Sequence, residues 1–399
     1  MNIFKKIYCR VFQTGFRIAL PFLPYKEPVI YEQTLDIPNI LQDKNIKSVL
    51  LVTDKGIRNL GLTKSLEEAL KEKNINCVVY DNTLPNPTVA NVEEARNIYI
   101  ENNCEALIAF GGGSSMDCAK AVGARIAYPK KSLSKLKGLL KIRRKIPFLI
   151  AIPTTAGTGS EVTLASVITD ATIQHKYTLM DFNLIPSIAV LDPLCTTSLP
   201  PHLTATTGMD ALTHAVEAFI GRSTTKDTRK KSMEAIKLIF ENIEIAYLDG
   251  TNLEARSNML KAAYLAGIAF SKSYVGYVHA VAHSLGGQYN IPHGLANAIL
   301  LPIVLKMYGN SIYKKLHQLA VSINLSKPND NIEESAKRFI EAIINLNINM
   351  NIPSTIKGIK DEDIYIMSKH ADKEANPLYP VPKLFNRQEL EKIYLKVKE

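Results

Sequence analysis

Short, wholly apolar runs recur between about Ile46 and Pro193: SVLLVTD (48–54), NCVVYDN (76–82), EALIAFGGG (105–113), PFLIAIPTT (147–155) and SIAVLDP (187–193). Val-, Ile- and Leu-rich runs with no polar alternation predict strands buried on both faces. Segments such as TKSLEEALKEK (63–73) lie between them and carry helical spacing. Strands alternating with helices predict a doubly wound, mostly parallel sheet. After Pro201 the pattern changes. LTHAVEAFI (212–220), RKKSMEAIKLIFENIEIAYL (229–248), EARSNMLKAAYLAGIAF (254–270) and NIEESAKRFIEAIINL (331–346) all carry helical periodicity, with few strand-like runs. The expected organisation is an extension over residues 1–26, an α/β domain over 27–195 and an all-α domain over 196–399. Pro193, Pro200 and Pro201 punctuate the second boundary.

A chain of 399 residues is long enough for two domains, each burying its own core. Its five cysteines form no CxxC pair, and the odd count argues against a disulfide framework, so a reducing cytoplasm is expected. The net charge of +10 raises the question of nucleic acid, most of all at KKSLSKLKGLLKIRRK (130–145). No aromatic residue is interleaved there for base stacking, and no nucleic-acid-binding motif occurs elsewhere. That run reads as a solvated basic segment.

The first 24 residues show a second basic feature. Phe4, Tyr8, Val11, Phe12 and Phe16 fall on one helical stripe, with Lys5, Lys6, Arg10 and Arg17 off it. Arg10 and Arg17 interrupt any signal-peptide core. Docking on the protein's own surface or on a partner subunit is the expected use, with an anionic membrane face as the other. No apolar run is long enough to span a bilayer.

Candidate chemistry concentrates in GMDALTHAVEAF and VHAVAHSLGGQYNIPHG. Asp210 and His214, four apart, project from one helical face and can grip one ion. His279 and His283 share a second face; a break at Gly286-Gly287 and a return through Pro292 would bring His293 back toward them. A lone histidine on an apolar face is ordinarily a satisfied core residue. Here half of the chain's eight histidines fall in two segments. A carboxylate with imidazoles suits Fe(II) or Zn(II) and disfavours Ca(II) and Mg(II), which take oxygen shells.

Nucleotide signals lie in the first half. GGGSSMDCAKAVG (111–123) follows a buried strand and opens a helix, so its backbone can approach a pyrophosphate at a helix N-terminus. It lacks both the GxGxxG fingerprint and the P-loop lysine. PTTAGTGSEVT (153–163) follows the next strand with hydroxyls fit to bond a ribose or a nicotinamide amide. Asp54 ends the first strong strand, where a carboxylate can accept from ribose hydroxyls and repel a 2′-phosphate, favouring NAD(H) over NADP(H); it could equally cap a helix. Asn86 could be a turn residue or a pyrophosphate contact, and spacing does not decide.

TDKG, the PNPT segment, GGGSSMD, PTTAGTGSEVT, LDP, GMDALTHAVE and HAVAHSLGGQYNIPHGLANA occur in one order from about Glu27 onward. With these motifs the chain resembles the iron-containing alcohol dehydrogenase family. The resemblance implies that Asp210, His214, His279 and His293 coordinate the metal, Fe(II) or else Zn(II). It implies that His283 is a non-ligand histidine beside nicotinamide and substrate, suited to proton relay. Gly112, Gly113, Ser114 and Asp117 match the pyrophosphate turn, and Thr154, Thr155 and Thr158 match cofactor contacts. Lys176 matches a lysine near the cofactor ribose, and Asp54 matches the position tied to NAD preference. The implied fold is an N-terminal dinucleotide-binding α/β domain and a C-terminal helical metal-binding domain, with the active site between them. The implied activity is hydride transfer between NAD(H) and a small primary alcohol, diol or aldehyde, in a homo-oligomer, expected to be a dimer. A glycerol-dehydrogenase-like polyol enzyme or a dehydroquinate-synthase-like metal enzyme is the alternative. Those that hold phosphate or several hydroxyls need an Arg/Lys cluster that the ligand segments lack.

Overall fold

The computed structural model describes residues 1–170 and 175–399. Its contacts define two compact units, one of Pro24–Leu199 and one of Met1–Leu23 with Pro200–Glu399. In chain order the strands are β1 (Val29–Tyr31), β2 (Ser48–Val52), β3 (Asn76–Tyr80), β4 (Ala106–Gly111), β5 (Gly138–Leu139), β6 (Phe148–Pro153), β7 (Ala165–Asp170), β8 (His175–Met180) and β9 (Ile188–Val190). The helices before Pro200 are α1 (Ile3–Ala19), α2 (Ile37–Asp43), α3 (Lys55–Asn59), α4 (Lys64–Glu72), α5 (Val89–Glu101), α6 (Gly113–Ala127) and α7 (Leu133–Leu136). After it come α8 (Pro201–Ile220), α9 (Lys226–Leu248), α10 (Leu253–Ser273), α11 (Tyr277–Tyr289), α12 (His293–Tyr308), α13 (Tyr313–Ser322), α14 (Ile332–Asn349), α15 (Asp361–Ala375) and α16 (Arg387–Val397). The chain is thus an α/β unit with a mostly parallel sheet and a helical unit.

In the α/β unit six parallel strands lie in the order β1-β9-β6-β4-β2-β3. β2, β4 and β9 are buried at every residue, as their unbroken apolar runs require. β3 is an edge strand and only half-buried, so its run reads as more central than it is. The chain runs from β2 out to β3 and then returns to the other side of β2 at β4. This reversal is a switch point, where the carboxyl ends of neighbouring parallel strands diverge and leave a crevice for a ligand.

Two parts of this unit are not announced by apolar runs. β1 is three residues at the sheet edge, with Val29 and Ile30 exposed. β7 and β8 pair antiparallel and join β5 in a separate three-stranded sheet. Only part of each strand reaches the core, through Ile168, Tyr177 and Leu179, so Lys and Thr positions dilute the pattern. The basic segment 130–145 is pinned by Leu133, Leu136 and Ile142, all fully buried. Lys131 and Arg144 lie over the Tyr128 ring.

In the helical unit α8 is the central element, packed by α9, α10 and α12. Every residue from Gly208 to Ile220 is buried. Gly208 makes this possible: a Cβ there would sit 2.6 Å from Ile243 and 2.9 Å from Met259.

Two sequence expectations change here. The helix carrying His279 and His283 does not break at Gly286-Gly287; α11 runs through both glycines and ends at Asn290, in the left-handed region with φ 55°. Glycine inside a helix costs only about 1 kcal/mol relative to alanine, which tertiary packing overrides. The second change concerns α1, which docks with the opposite face from its apolar stripe. Cys9 and Gln13 are buried, the Gln13 amide donates to the Tyr379 carbonyl, and the Arg10 guanidinium donates to the Val381 and Pro382 carbonyls. Of the stripe, only Phe16 turns inward, edge-on to Tyr274. Phe4, Tyr8, Val11 and Phe12 are exposed.

Candidate metal centre and cofactor-binding turns

A helix buried on all sides should carry apolar residues, and α8 does so except at a few positions. Asp210, His214 and Glu217 stand out, because a buried charge without a partner costs several kcal/mol. They lie at i, i+4 and i+7, on one face. α11 brings His279, buried, and α12 begins with His293. One ligand atom from each of Asp210, His214, His279 and His293 lies within 4.8 Å of all the others.

Each imidazole is held in place. His214 stacks between Phe270, at 4.1 Å between centroids, and His279, at 4.4 Å. His279 Nδ1 is 2.7 Å from Glu217 Oε2. Glu217 also accepts from the backbone N–H groups of Gly276 and Val278, at 2.8 and 2.9 Å. With Nδ1–H aimed at a carboxylate, the Nε2 lone pair of His279 is left for the centre of the cluster.

The Asn297 amide, one turn into α12, is aimed at the same centre. Its Nδ2 lies 2.6 Å from Asp210 Oδ1, 3.2 Å from His279 Nε2 and 3.1 Å from His293 Nε2. An amide nitrogen carries two hydrogens, too few for three converging lone pairs. The donor set therefore fits a small cation, and three nitrogens with one carboxylate fit Fe(II) or Zn(II).

Burial keeps the His279 and His293 imidazoles neutral, as metal binding requires. It pushes His279 well below the ordinary 6.5, with the neighbouring histidines acting the same way. It takes His293 down to about 4, although Asp210 opposes the shift and 36% of the His293 side chain reaches solvent. Burial raises Glu217 to about 7 against its three N–H donors.

His283 is close to the four but differently placed. Its side chain is 45% exposed, its ring lies 5.1 Å from that of His293, and its Nδ1 is 2.6 Å from Glu374 Oε1. The Tyr379 hydroxyl donates to the same carboxylate oxygen. Burial alone would raise Glu374, but His283 and Tyr379 outweigh it and hold the carboxyl below its usual value.

In the α/β unit most of the remaining candidates gather at the carboxyl ends of β2, β4 and β6, while Asn86 follows β3 and Lys176 lies in β8. Gly112 is the N-cap of α6 and supplies no side-chain acceptor, so the first N–H groups of that helix stay open to an anion. Gly111 has φ 151°, and a Cβ there would strike Ser115 Oγ at 2.5 Å. Thr155 and Thr158 pack over Gly112 and Gly113, while the Thr154 N–H donates to the Gly111 carbonyl. Asp54 does cap a helix: its Oδ1 accepts from the Ile57 N–H at 3.0 Å. Its Oδ2 faces the glycine turn, 3.5 Å from Ser115 Oγ. Asn86 accepts from Lys176 Nζ at 2.8 Å, both exposed, and the adjacent Pro85 carbonyl accepts from Ser114.

Asp117 stands apart from the other turn residues. Its carboxylate accepts from Ser160 Oγ and the Val167 N–H, both at 3.0 Å, and so faces protein on both oxygens. Beside it Lys120, fully buried, donates to the carbonyls of Ser160, Thr163 and Ala165. Together they tie α6 to the segment carrying the threonines. Burial lowers Lys120 to about 8 and raises Glu161 to about 7.

Sequence reading missed Glu217, Asn297, Glu374 and Lys120. The first two had a signal: polar residues at helical spacing from Asp210 and from His293. Glu374, ninety-one positions from His283, had none.

Comparison with known proteins follows the same division. The family model for iron-containing alcohol dehydrogenase matches residues 29–193, and that for the C-terminal part of the Fe-containing alcohol dehydrogenase family matches 204–397. The chain belongs to the iron-containing alcohol dehydrogenase family. Its activity is that of a metal-dependent alcohol dehydrogenase. It is 39% identical over 366 residues to alcohol dehydrogenase 4 of Saccharomyces cerevisiae, covering 91% of this chain and 93% of that one. It is 37% identical over 352 residues to 1,3-propanediol dehydrogenase of Klebsiella pneumoniae, covering 87% and 90%. A crystal structure of 1,3-propanediol oxidoreductase superposes with a TM-score of 0.89 at 34% identity, covering 94% of this chain and 99% of that one.

Proposed function

We propose that Asp210, His214, His279 and His293 hold a divalent iron, and that the enzyme interconverts a short primary alcohol or diol and its aldehyde. The observation that carries this reading is the convergence of four ligand atoms within 4.8 Å, with the His279 tautomer set by Glu217. Bound iron supplies Lewis acidity to the substrate oxygen, and bound nicotinamide supplies the hydride-accepting or hydride-donating carbon. Asp210 offsets part of the cation's charge, while neutral imidazoles leave it electrophilic. His283 stands beside the ligands with one nitrogen tied to Glu374, which leaves the other to move the alcohol proton toward solvent. Residues 111–114 cradle the pyrophosphate, and Thr154, Thr155 and Thr158 line the same crevice. Asp54 accepts from a ribose and disfavours a 2′-phosphate, so NAD(H) is the preferred cofactor. Asn86 and Lys176 contact the cofactor as a bonded pair, and Asp117 contributes by bracing the turn.

Five free cysteines support a reducing, cytoplasmic setting. The exposed apolar edge of β1 supports a homodimer.

The experiment is anaerobic purification with elemental analysis, then NADH oxidation against short aldehydes with Fe(II) or Zn(II) returned to chelated protein. Metal-dependent turnover is expected, together with a shifted pH–rate profile in His283→Ala at unchanged metal content. Stoichiometric metal without turnover on any aldehyde would overturn the substrate assignment.

A further inference from the structure

Residues 1–23 contain Lys5, Lys6, Arg10 and Arg17 and no acidic residue. α1 docks through Cys9 and Gln13, so the opposite side of the helix faces solvent. That side carries Ile3, Phe4, Ile7, Val11 and Ile18, each more than half exposed, with Tyr8 beside them. At 100° per residue these six fall within about 140° of the helix, with the small residues Thr14 and Gly15 among them. Lys6 and Arg17 lie along one margin and Lys5 along the other.

Beside the helix runs an open groove of about 1050 Å³, lined by Ile7, Val11, Ile18 and Leu384, with Lys6, Arg10, Lys383 and a single carboxylate, Glu389, among its polar residues. More positive charge lies nearby: burial, then Arg229, Arg222 and Arg17, push the Lys315 ammonium down to about 8. Lys5 is paired with Asp372, whereas neither Lys6 nor Arg17 has an acidic partner among the described residues.

An apolar surface of this size needs a cover, and its charge selects which. A second copy of the same helix would bring cations against cations with no carboxylate from residues 1–23 to offset them. An anionic lipid surface meets both halves of the pattern, taking the apolar side chains at the acyl boundary and the marginal cations at the headgroups. No helix among the described residues is long and apolar enough to cross a membrane, so the mode is attachment in the interface plane.

We propose that α1 is an interfacial anchor that seats this enzyme on anionic phospholipid bilayers, with its apolar face inward and Lys6 and Arg17 at the headgroups. The proposal does not depend on the reaction assigned above.

The test is flotation of the full-length holoenzyme with vesicles of phosphatidylcholine alone or mixed with phosphatidylserine. Binding to the mixed vesicles is expected to be roughly thirty-fold tighter, from two marginal cations, and to weaken as salt rises. Replacing Phe4→Ser together with Val11→Ser keeps the charge and should weaken binding roughly tenfold or more. Lys6→Glu with Arg17→Glu should abolish the preference for phosphatidylserine. All variants alter exposed positions and should retain dehydrogenase activity. Absence of binding to either vesicle would overturn the proposal, as would binding insensitive to Phe4→Ser/Val11→Ser. A concentration-dependent dimer dissolved by those serines would overturn it in favour of a second copy.

Discussion

The two units build their candidate binding sites from different materials. In the helical unit the site consists of side chains standing on rigid, buried helices: Asp210, His214 and Glu217 on α8, His279 on α11, His293 and Asn297 on α12. In the α/β unit it consists largely of backbone, where strands end and helix α6 begins, with glycines admitting a ligand close to the chain. A side-chain site concentrates its energy in a few groups and fails when one is removed. A backbone site spreads its energy over N–H groups that only proline deletes, so it is disturbed mainly by filling the space.

The sharpest test of this contrast lies in the helical unit. His279→Ala should remove metal and turnover together, because it deletes a proposed ligand, and Glu217→Gln should lower metal affinity about 10- to 100-fold. Equilibrium dialysis with elemental analysis measures both. Metal retained at wild-type affinity in Glu217→Gln would mean that the carboxylate does not set the His279 tautomer.

In the α/β unit Gly113→Ala places a methyl 3.1 Å from Thr158. Its expected effect is a raised KM for NADH with metal content unchanged. Loss of metal in this variant would break the division of labour.

Acid separates the units more gradually. Burial holds His279 below 6.5 in the folded protein, so under that pH the unfolded chain binds protons the folded chain refuses. Glu217, raised by burial to about 7, takes up a proton that the unfolded chain binds only near 4.5 and so offsets His279 down to that pH. Stability of chelated protein should therefore fall clearly only below about 4.5, by at most about 1.4 kcal/mol per pH unit. His293, partly open to solvent, adds less. Chemical denaturation on both sides of pH 4.5 reads this directly, and a profile still flat below that pH would place the cluster's protons elsewhere.

The smallest expected effect comes from Asp54→Ser. Serine keeps a good N-cap for α3 while removing the charge. The preference for NADH over NADPH should relax by roughly tenfold, or about 1.4 kcal/mol. An unchanged ratio would leave Asp54 only its capping role.

The same contrast explains what could be read in the chain before its structure. Buried strands and amphipathic helices announce themselves by period, and Asp210 with His214 by spacing, because such signals are local. β7 and β8 escaped because each strand is only partly in the core, which weakens its alternation. The end of α11 is not legible because two glycines look like a stop, whereas the stop is Asn290 in a left-handed conformation. Glu374 was invisible because its link to His283 is purely tertiary. The outward face of α1 could not be inferred either: an apolar stripe shows that a helix is amphipathic, not which face finds the protein.

Gly276 meets the candidate metal centre only through Glu217. A methyl group there would fall 2.5 Å from Glu217 Oε1 and drive the carboxylate off the His279 ring. The residue serves as a spacer gauge between α8 and α11, and its tolerance to mutation is set by the ion rather than by the core. An alanine at 276 would look mild in a melting curve of the chelated chain, yet yield an enzyme that sheds iron on dilution.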